Sequence, residues 1–224
     1  MASPFSTAAD YADALLTARR AKSLLFFVLL ICLLGQVAIF FLARYTAVLD
    51  VSPAAIDPAA GGSIAGGVLN YLLILGTFVG LVASLGLCLV LLLIEIIMLV
   101  GRLIGVARVT SAWIWSALLV VLLFPWQSFL ISPTGRAPTS RNVDEYKVPG
   151  VLYTWTELSH PDLGAKFKAE PLEVAILRWA RFVGFPLVAV LMLLTVQVKS
   201  NRGLRQALGE SPSEPMAAAD VPTV

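Results

Sequence analysis

The stretch 68–100 constrains the fold more than any other part of the chain. It is 33 residues long and mostly apolar, and Glu95 is its only charged residue. About 20 consecutive apolar residues are enough for a helix to cross the hydrocarbon layer of a membrane. A helix over the whole stretch would be ~50 Å long at ~1.5 Å per residue, against a ~30 Å hydrocarbon core, so it must tilt or protrude. We therefore expect an integral membrane protein.

The composition excludes the usual soluble classes. Hydrophobic residues make up 58% of the chain, charged residues make up 13%, and the mean hydropathy is +0.87, whereas about a quarter of the residues of a soluble domain are charged. The net charge is only +2 and the basic residues are scattered, unlike the concentrated basic face of a nucleic-acid-binding protein. We expect the lipid bilayer as a partner and no nucleic acid.

Three further apolar stretches are long enough to cross a bilayer. The first directly follows Arg19, Arg20 and Lys22, and it is longer than the ~7 to 15 apolar residues of a cleaved signal peptide. Residues 1–22 form an N-terminal segment in which a short helix from about Ala8 leads into this span. The sequence predicts an all-α fold, a polytopic bundle of four transmembrane helices, with spans at about 23–43, 68–100, 111–131 and 178–198.

Breaker residues mark the connections between these spans. Prolines and two Gly-Gly pairs in 44–67 predict an irregular loop, and four prolines interrupt residues 132–170 of a long outer loop, 132–177. Within the outer loop, 151–159 has the pattern of a small amphipathic helix lying on the membrane surface, although its alternating apolar residues also fit a short strand. Residues 199–224 are rich in Ser, Pro, Ala and Glu, which predicts a disordered tail.

Prolines are also expected to shape two of the spans. Pro125 lies inside the third span and is expected to bend it, because proline removes one helical hydrogen bond and crowds the preceding turn. In the fourth span, Gly184 and Pro186 permit a kink. The polar and aromatic residues just before that kink, Arg178, Trp179 and Arg181, are expected at the level of the lipid headgroups.

The distribution of basic residues predicts the orientation. Eight of them share one face of the predicted topology, and only Arg44 opposes them in the first connection. Short cytoplasmic segments are enriched in Lys and Arg, and long loops translocate with less regard to charge. Both termini are therefore expected in the cytoplasm, with a bacterial plasma membrane as the default location. The eight residues are Arg19, Arg20, Lys22, Arg102, Arg108, Lys199, Arg202 and Arg205.

Small residues recur along one face of the second span. Gly76, Gly80 and Ser84 lie four residues apart, a spacing that lets two helix backbones approach closely in lipid. The face could pack against another helix of the same bundle, or it could bind a second subunit, either another protein or another copy of this chain. Both interpretations remain open at this stage.

Glu95 is the only acidic residue inside a predicted span. Such residues usually face a bundle interior or water, and they are candidates for proton transfer or ion binding. Arg102 lies only two helical turns further on, so Glu95 could instead reach the interface and pair with Arg102, Arg108 or a basic group of a neighbouring helix. No second acidic residue lies inside a span to receive its proton.

Two glutamines and an arginine suggest a polar pocket in the outer half of the bundle. Gln36 and Gln127 fall at similar depth in the predicted topology, near the Pro125 bend and Arg181. Interhelical hydrogen bonding is the alternative role for such residues.

Catalytic and cofactor motifs are missing from the sequence. The single histidine, His160, lies in a loop that offers carboxylates but no cysteine, too few ligands for a zinc site. No phosphate-binding loop, dinucleotide fingerprint or hydrolase motif occurs. We expect no cofactor and no metal, and no enzymatic activity, unless Glu157, His160 and Asp162 converge on a cleft.

The expected function is that of a non-enzymatic structural or assembly subunit of a membrane complex. The small-residue face and the aromatic anchors favour it. The alternative is a small transporter or channel component that uses Glu95 and the outer polar groups, and it would require an aqueous cavity lined by those residues.

Overall fold

The computed structural model describes residues 4–45, 64–124, 151–153, 158 and 172–210, and all regular structure within them is helical. A π-helical turn, Ala180–Gly184, joins the last two helices into one continuous rod. The helices are α1 (Pro4–Tyr45), α2 (Ile64–Val100), α3 (Val106–Leu123), α4 (Leu172–Trp179) and α5 (Phe185–Ala207).

Within the described residues, four helical segments are long and apolar enough to cross a membrane, which supports the prediction of an all-α, multi-pass membrane protein. They are Tyr11–Tyr45, Gly67–Val100, Val106–Leu123 and Ala180–Ala207. The short segment that was expected to lead into the first span belongs to the same continuous helix, since α1 begins at Pro4.

The four long helices pack in a ring in which α1 contacts α2, α2 contacts α3, α3 contacts α5 and α5 contacts α1. Buried residues recur every three or four positions, as in the series Leu87, Leu91, Ile94 and Met98 of α2. Large apolar side chains also cover the outside of every span. A helix that is apolar on all sides is typical of a membrane span, where lipid covers the outer face.

The two ends of the bundle are named here by their position. The terminal end is where α1 begins, α5 ends and α2 turns into α3. The loop end is the opposite one, where α1 ends and α2 begins. Glycines make the close contact between the α2–α3 turn and α5 at the terminal end: a Cβ on Gly203 would lie 2.7 Å from Val109 Cγ2, and a Cβ on Gly105 would lie 2.8 Å from the Gly203 carbonyl oxygen.

The third helix differs from the predicted span at both ends. It begins at Val106, five residues before the predicted start, and ends at Leu123. Phe124 is extended, with φ −61° and ψ 134°, because a following proline disfavours the α conformation. Pro125 therefore follows the end of the helix that it was expected to bend. The rest of the predicted span lies outside the described residues.

The predicted tail begins too early. The last helix ends at Ala207. Two residues later, the positive φ of Gly209, 70°, turns the chain back so that Glu210 N–H donates to the Arg205 carbonyl at 2.8 Å. Residues 199–210 are ordered because Ser200, Gly203 and Leu204 are buried against the bundle. The remainder of the predicted tail, 211–224, lies outside the described residues, as does most of the first connection.

Candidate functional site

Three residues of the predicted outer loop, Val151, Leu152 and Tyr153, are buried inside the bundle at its loop end. They are not helical, so the prediction of a surface helix over 151–159 is wrong at these positions, and no strand forms there either. An amphipathic surface helix buries only one face, whereas all three of these consecutive side chains are covered. Leu158 is also buried, and the other residues of that segment lie outside the described part of the chain.

Tyr153 is the centre of a cluster that joins the inserted segment to three spans. Its hydroxyl donates to the backbone carbonyl of Gln36 on α1, and its own carbonyl accepts from the Thr77 hydroxyl of α2 at 3.4 Å. Its ring meets Phe182 edge-on at 5.0 Å, and Phe182 stacks on Phe40 at 4.9 Å. We call these five residues the Tyr153 cluster.

The backbone of the inserted segment is also hydrogen-bonded. Arg181 Nη1 donates to the Val151 carbonyl at 3.2 Å, and Val151 N–H donates to the Leu122 carbonyl at 3.3 Å. Arg181 lies in the π-helical turn, which ends just before Pro186. Pro186 has no N–H for the carbonyl four residues earlier, so the α pattern cannot continue there and the wider turn replaces it. At Gly184 and Pro186, where the sequence permits a kink, the structure has this π-helical turn.

Two residues of the predicted outer polar pocket, Gln36 and Arg181, therefore lie near each other, but both bind the chain's own inserted segment. Gln36 and Arg181 both contact the segment 151–153, and Gln127 lies outside the described residues. The Gln36 side chain donates through Nε2 to Thr77 Oγ1 at 3.3 Å. Its Oε1 is buried and has no hydrogen-bond partner among the residues that the structure describes. Buried Tyr153 fills the space between these groups.

The small-residue face of α2 is divided. Gly80 is buried, and a Cβ there would lie 3.5 Å from Leu152 Cδ1 and 3.6 Å from Cys32 Cβ. Ser84 is also buried, and its hydroxyl donates to the Leu81 carbonyl at 2.8 Å. A Cβ on Gly76 would meet no atom within 4 Å. The chain itself covers the face at Gly80 and Ser84, and none of the described residues covers it at Gly76.

At the terminal end, Lys22 is fully buried, with 0% of its surface exposed. Its Nζ donates to Ser200 Oγ at 2.8 Å and to Asn201 Oδ1 at 2.5 Å, both on α5. Sequence analysis counted Lys22 among the eight basic residues of the cytoplasmic face and missed this role. The signal was present: Lys22 continues the series Ala18, Phe26 and Leu29, whose spacing of three and four marks the buried face of α1.

Glu95 is half-buried and accepts a hydrogen bond from the Thr110 hydroxyl of α3, at 2.6 Å from Oε1. The expected ion pair with Arg102 or Arg108 does not form, and no other basic group within the described residues makes an ion pair with Glu95. The geometric reason is that α3 begins at Val106, earlier than predicted, and this places Thr110 inside the helix beside Glu95.

The next residue of α3 extends this network to the fourth span. Lys199 Nζ donates to Ser111 Oγ at 2.7 Å and lies 5.6 Å from the centre of the Trp115 ring. The adjacent residues Thr110 and Ser111 of α3 bind α2 and α5, and the adjacent residues Lys199 and Ser200 of α5 bind α3 and α1. All four spans are therefore connected by hydrogen bonds at one level. This polar layer consists of Lys22, Glu95, Thr110, Ser111, Lys199, Ser200 and Asn201.

Among the described residues, neither end contains a cluster typical of a metal centre. In the part of the chain that the structure describes, no group of three His, Cys, Asp or Glu residues could hold a metal ion. Glu157, His160 and Asp162 lie outside it. What the two ends offer is hydrogen bonding between spans and, at the terminal end, three ionisable groups held by neutral partners: Lys22, Glu95 and Lys199.

Comparison of the chain with protein-family models, with curated proteins and with solved structures finds no match. The function is therefore argued from the geometry of this chain alone.

Proposed function

We propose that this protein is a structural or assembly subunit of a membrane complex, with no enzymatic activity of its own, and that α2 is the helix that meets the partner. The open position at Gly76 carries the proposal. A glycine whose outer side meets none of the described residues lets a partner helix approach to backbone contact, and close packing is the main source of helix association in lipid.

The side chains around Gly76 support this interpretation. Leu72 lies one helical turn before Gly76, about 40° around α2 from it, and has 51% of its surface exposed. A partner helix in contact with Gly76 would cover this side chain as well. We propose that the partner is a second protein or a second copy of this chain.

A pair of glycine substitutions tests the proposal directly. Gly35 of α1 is a matched control, because a Cβ there also meets nothing within 4 Å and its neighbours four residues away are isoleucines rather than small residues. Gly80→Leu is a poor test, since it would clash with Leu152 and Cys32. The full chain is purified in nanodiscs as wild type, Gly76→Leu and Gly35→Leu, and the particle mass and bound proteins are measured.

The expected result is a dimer or a stoichiometric partner in wild type and Gly35→Leu, and its loss in Gly76→Leu while the helical circular dichroism signal is retained. A wild type that is monomeric and carries no protein contradicts the proposal. Equal loss in both leucine variants also contradicts it, because α2 would then have no special role.

A second candidate function is a transporter or channel component, and Glu95 favours it. Its carboxylate lies within a span and is bonded to a hydroxyl, with no ion-pair partner in the described ranges, and intramembrane ionisable groups often mark ion pathways. Purified protein in liposomes would show flux of protons or small cations that Glu95→Gln abolishes and Arg102→Gln leaves unchanged. Absence of flux in wild type would remove this candidate.

We further propose that both termini lie in the cytoplasm and that the membrane is a bacterial plasma membrane. The concentration of Lys and Arg at the terminal end supports the orientation. A reporter enzyme fused after Val224 that is active only in the cytoplasm should be active, and the same reporter inserted at Asp57 of the first connection should be inactive. The reverse pattern would overturn the orientation.

A further inference from the structure

Three cations lie along the groove between α3 and α5 at the terminal end. The hydrogen bond from Lys199 to Ser111 fixes how the two helices face each other. Arg108 lies three residues before Ser111, and Arg202 lies three residues after Lys199. Because the two helices are antiparallel, each arginine lies about one turn from that hydrogen bond, in the direction of the terminal end.

The positive charge of this groove is not balanced by acidic side chains. Arg108 and Arg202 are exposed, and none of the three cations makes an ion pair with a carboxylate among the described residues. Two acidic groups of the same end are engaged elsewhere: Glu95 accepts from Thr110, and Glu210 pairs with Arg19 at 3.2 Å. Three uncompensated charges close together favour an anionic ligand.

The groove continues from these cations into an apolar, outward-facing surface. Trp115 lies under the Lys199 ammonium, 5.6 Å from it, and is 37% exposed. Beyond it toward the middle of the bundle come Leu118 on α3 and Leu191 on α5, both outward-facing. Tryptophan is typical of the boundary between headgroups and hydrocarbon. The order along the groove is therefore cation, interfacial aromatic and hydrocarbon, which matches the order of groups in a phospholipid.

We propose that the α3–α5 groove at the terminal end is a binding site for an anionic phospholipid. Its phosphate is held by Arg108, Lys199 and Arg202, and its acyl chains lie along Leu118 and Leu191. Basic pockets between transmembrane helices are known sites for acidic headgroups. The uncompensated charge favours an acidic lipid over a zwitterionic one, whose own cation would be repelled by the same three residues.

The test compares two arginines on the same helix. By helical register, Arg202 lies about 60° around α5 from Lys199, and Arg205 lies about 120° from it in the same direction, further from the groove. Both are exposed, so neither substitution should disturb folding. The full chain in detergent is mixed with equal amounts of phosphatidylglycerol and phosphatidylcholine, and bound lipids are counted by native mass spectrometry for wild type, Arg202→Gln and Arg205→Gln.

Wild type should bind phosphatidylglycerol in preference to phosphatidylcholine. Arg202→Gln should lower the affinity for phosphatidylglycerol about fivefold, the contribution of one basic residue at an anionic surface, and Arg108→Gln should do the same. Arg205→Gln should change it less than twofold. No preference for phosphatidylglycerol in wild type overturns the proposal, and so does an equal loss in both α5 variants, which would indicate a diffuse positive surface.

A competition experiment separates the lipid from a free anion. Inorganic phosphate at millimolar concentration should not displace phosphatidylglycerol, because it cannot occupy the apolar part of the groove. Complete displacement by phosphate would show a simple anion site and overturn the assignment to a lipid. Lys199→Arg, which keeps the charge, should retain the preference, and its loss there would also count against the proposal.

Discussion

The two ends of the bundle are held together by different chemistry. At the terminal end, side chains on four helices share charged and hydroxyl groups in the polar layer, and glycines bring backbones into contact. At the loop end, a short piece of connecting chain enters the bundle, and an aromatic side chain fills the space between the helices. Polar groups there bond mainly to backbone carbonyls. The helices of a membrane bundle can thus be held together by hydrogen bonds between polar side chains, or by an inserted loop whose backbone carbonyls and aromatic ring contact several helices.

The substitution with the largest expected loss of stability is at the loop end. Tyr153→Ala removes a fully buried ring that contacts Phe182, and loss of a large buried aromatic costs about 4 kcal/mol. The free energy of unfolding is measured by detergent titration. Tyr71→Ala, on the exposed surface of α2, is the matched control and should change it by less than about 0.5 kcal/mol.

The two native cysteines can report which end opens in that variant. Cys32 lies against Gly80, which also contacts Leu152, and Cys88 lies beside Trp113 and Ser116. In proteins that retain one cysteine each, Tyr153→Ala should accelerate maleimide labelling of Cys32 more than that of Cys88. Equal acceleration at both thiols would show that the two ends do not open separately.

The substitution with the next largest expected loss of stability is at the terminal end. Gly203→Val would place a branched side chain where a Cβ alone already lies 2.7 Å from Val109 and 3.2 Å from the Gly105 carbonyl oxygen. Overpacking of this kind costs about 3 kcal/mol. The melting temperature in detergent should fall, whereas Gly35→Val, in open surroundings, should leave it nearly unchanged. A small effect at Gly203 would mean that the α3–α5 contact can relax.

Two substitutions of Lys22 separate the contributions of its charge and of its volume to the stability of the polar layer, and their expected effects are smaller. Lys22→Ala leaves the acceptors Ser200 and Asn201 without their donor and opens a cavity, at a cost of about 2 kcal/mol. Lys22→Met keeps most of the volume and removes the desolvated charge, so its stability should lie within about 1 kcal/mol of wild type or above it. Unfolding titrations of both variants, with Arg20→Ala as the exposed control, decide this. If methionine is as damaging as alanine, the hydrogen bonds of the ammonium dominate.

The smallest effect isolates one hydrogen bond at the loop end. Tyr153→Phe keeps the ring and removes the hydroxyl that donates to the Gln36 carbonyl, which should cost about 1 kcal/mol. Tyr45→Phe, at an exposed position, should have no measurable effect. A loss above about 2 kcal/mol would indicate that the hydroxyl, and not the ring, is the main contribution of Tyr153 to the loop end.

Sequence analysis predicted the spans well and the sites only in part. Apolar length identified all four helices, and small-residue spacing found Gly80 and Ser84, which are buried. It misplaced the start of α3, and with it the partner of Glu95, because propensity does not distinguish a turn from the first turn of a helix. It placed 151–153 on the membrane surface, since an apolar pattern alone does not tell which surface will cover it.

The sequence by itself determined that this chain is helical and carries four segments long and apolar enough to cross a membrane, because lipid offers no hydrogen bonds and an apolar stretch of this length must satisfy its backbone internally. Only the tertiary structure decided that Lys22 is buried, that Glu95 meets Thr110 and that Tyr153 enters the bundle. Lys22 and Ser200 are 178 residues apart in sequence, and Tyr153 and Gln36 are 117 apart. Such contacts depend on how the helices pack against one another, and no local pattern records that arrangement.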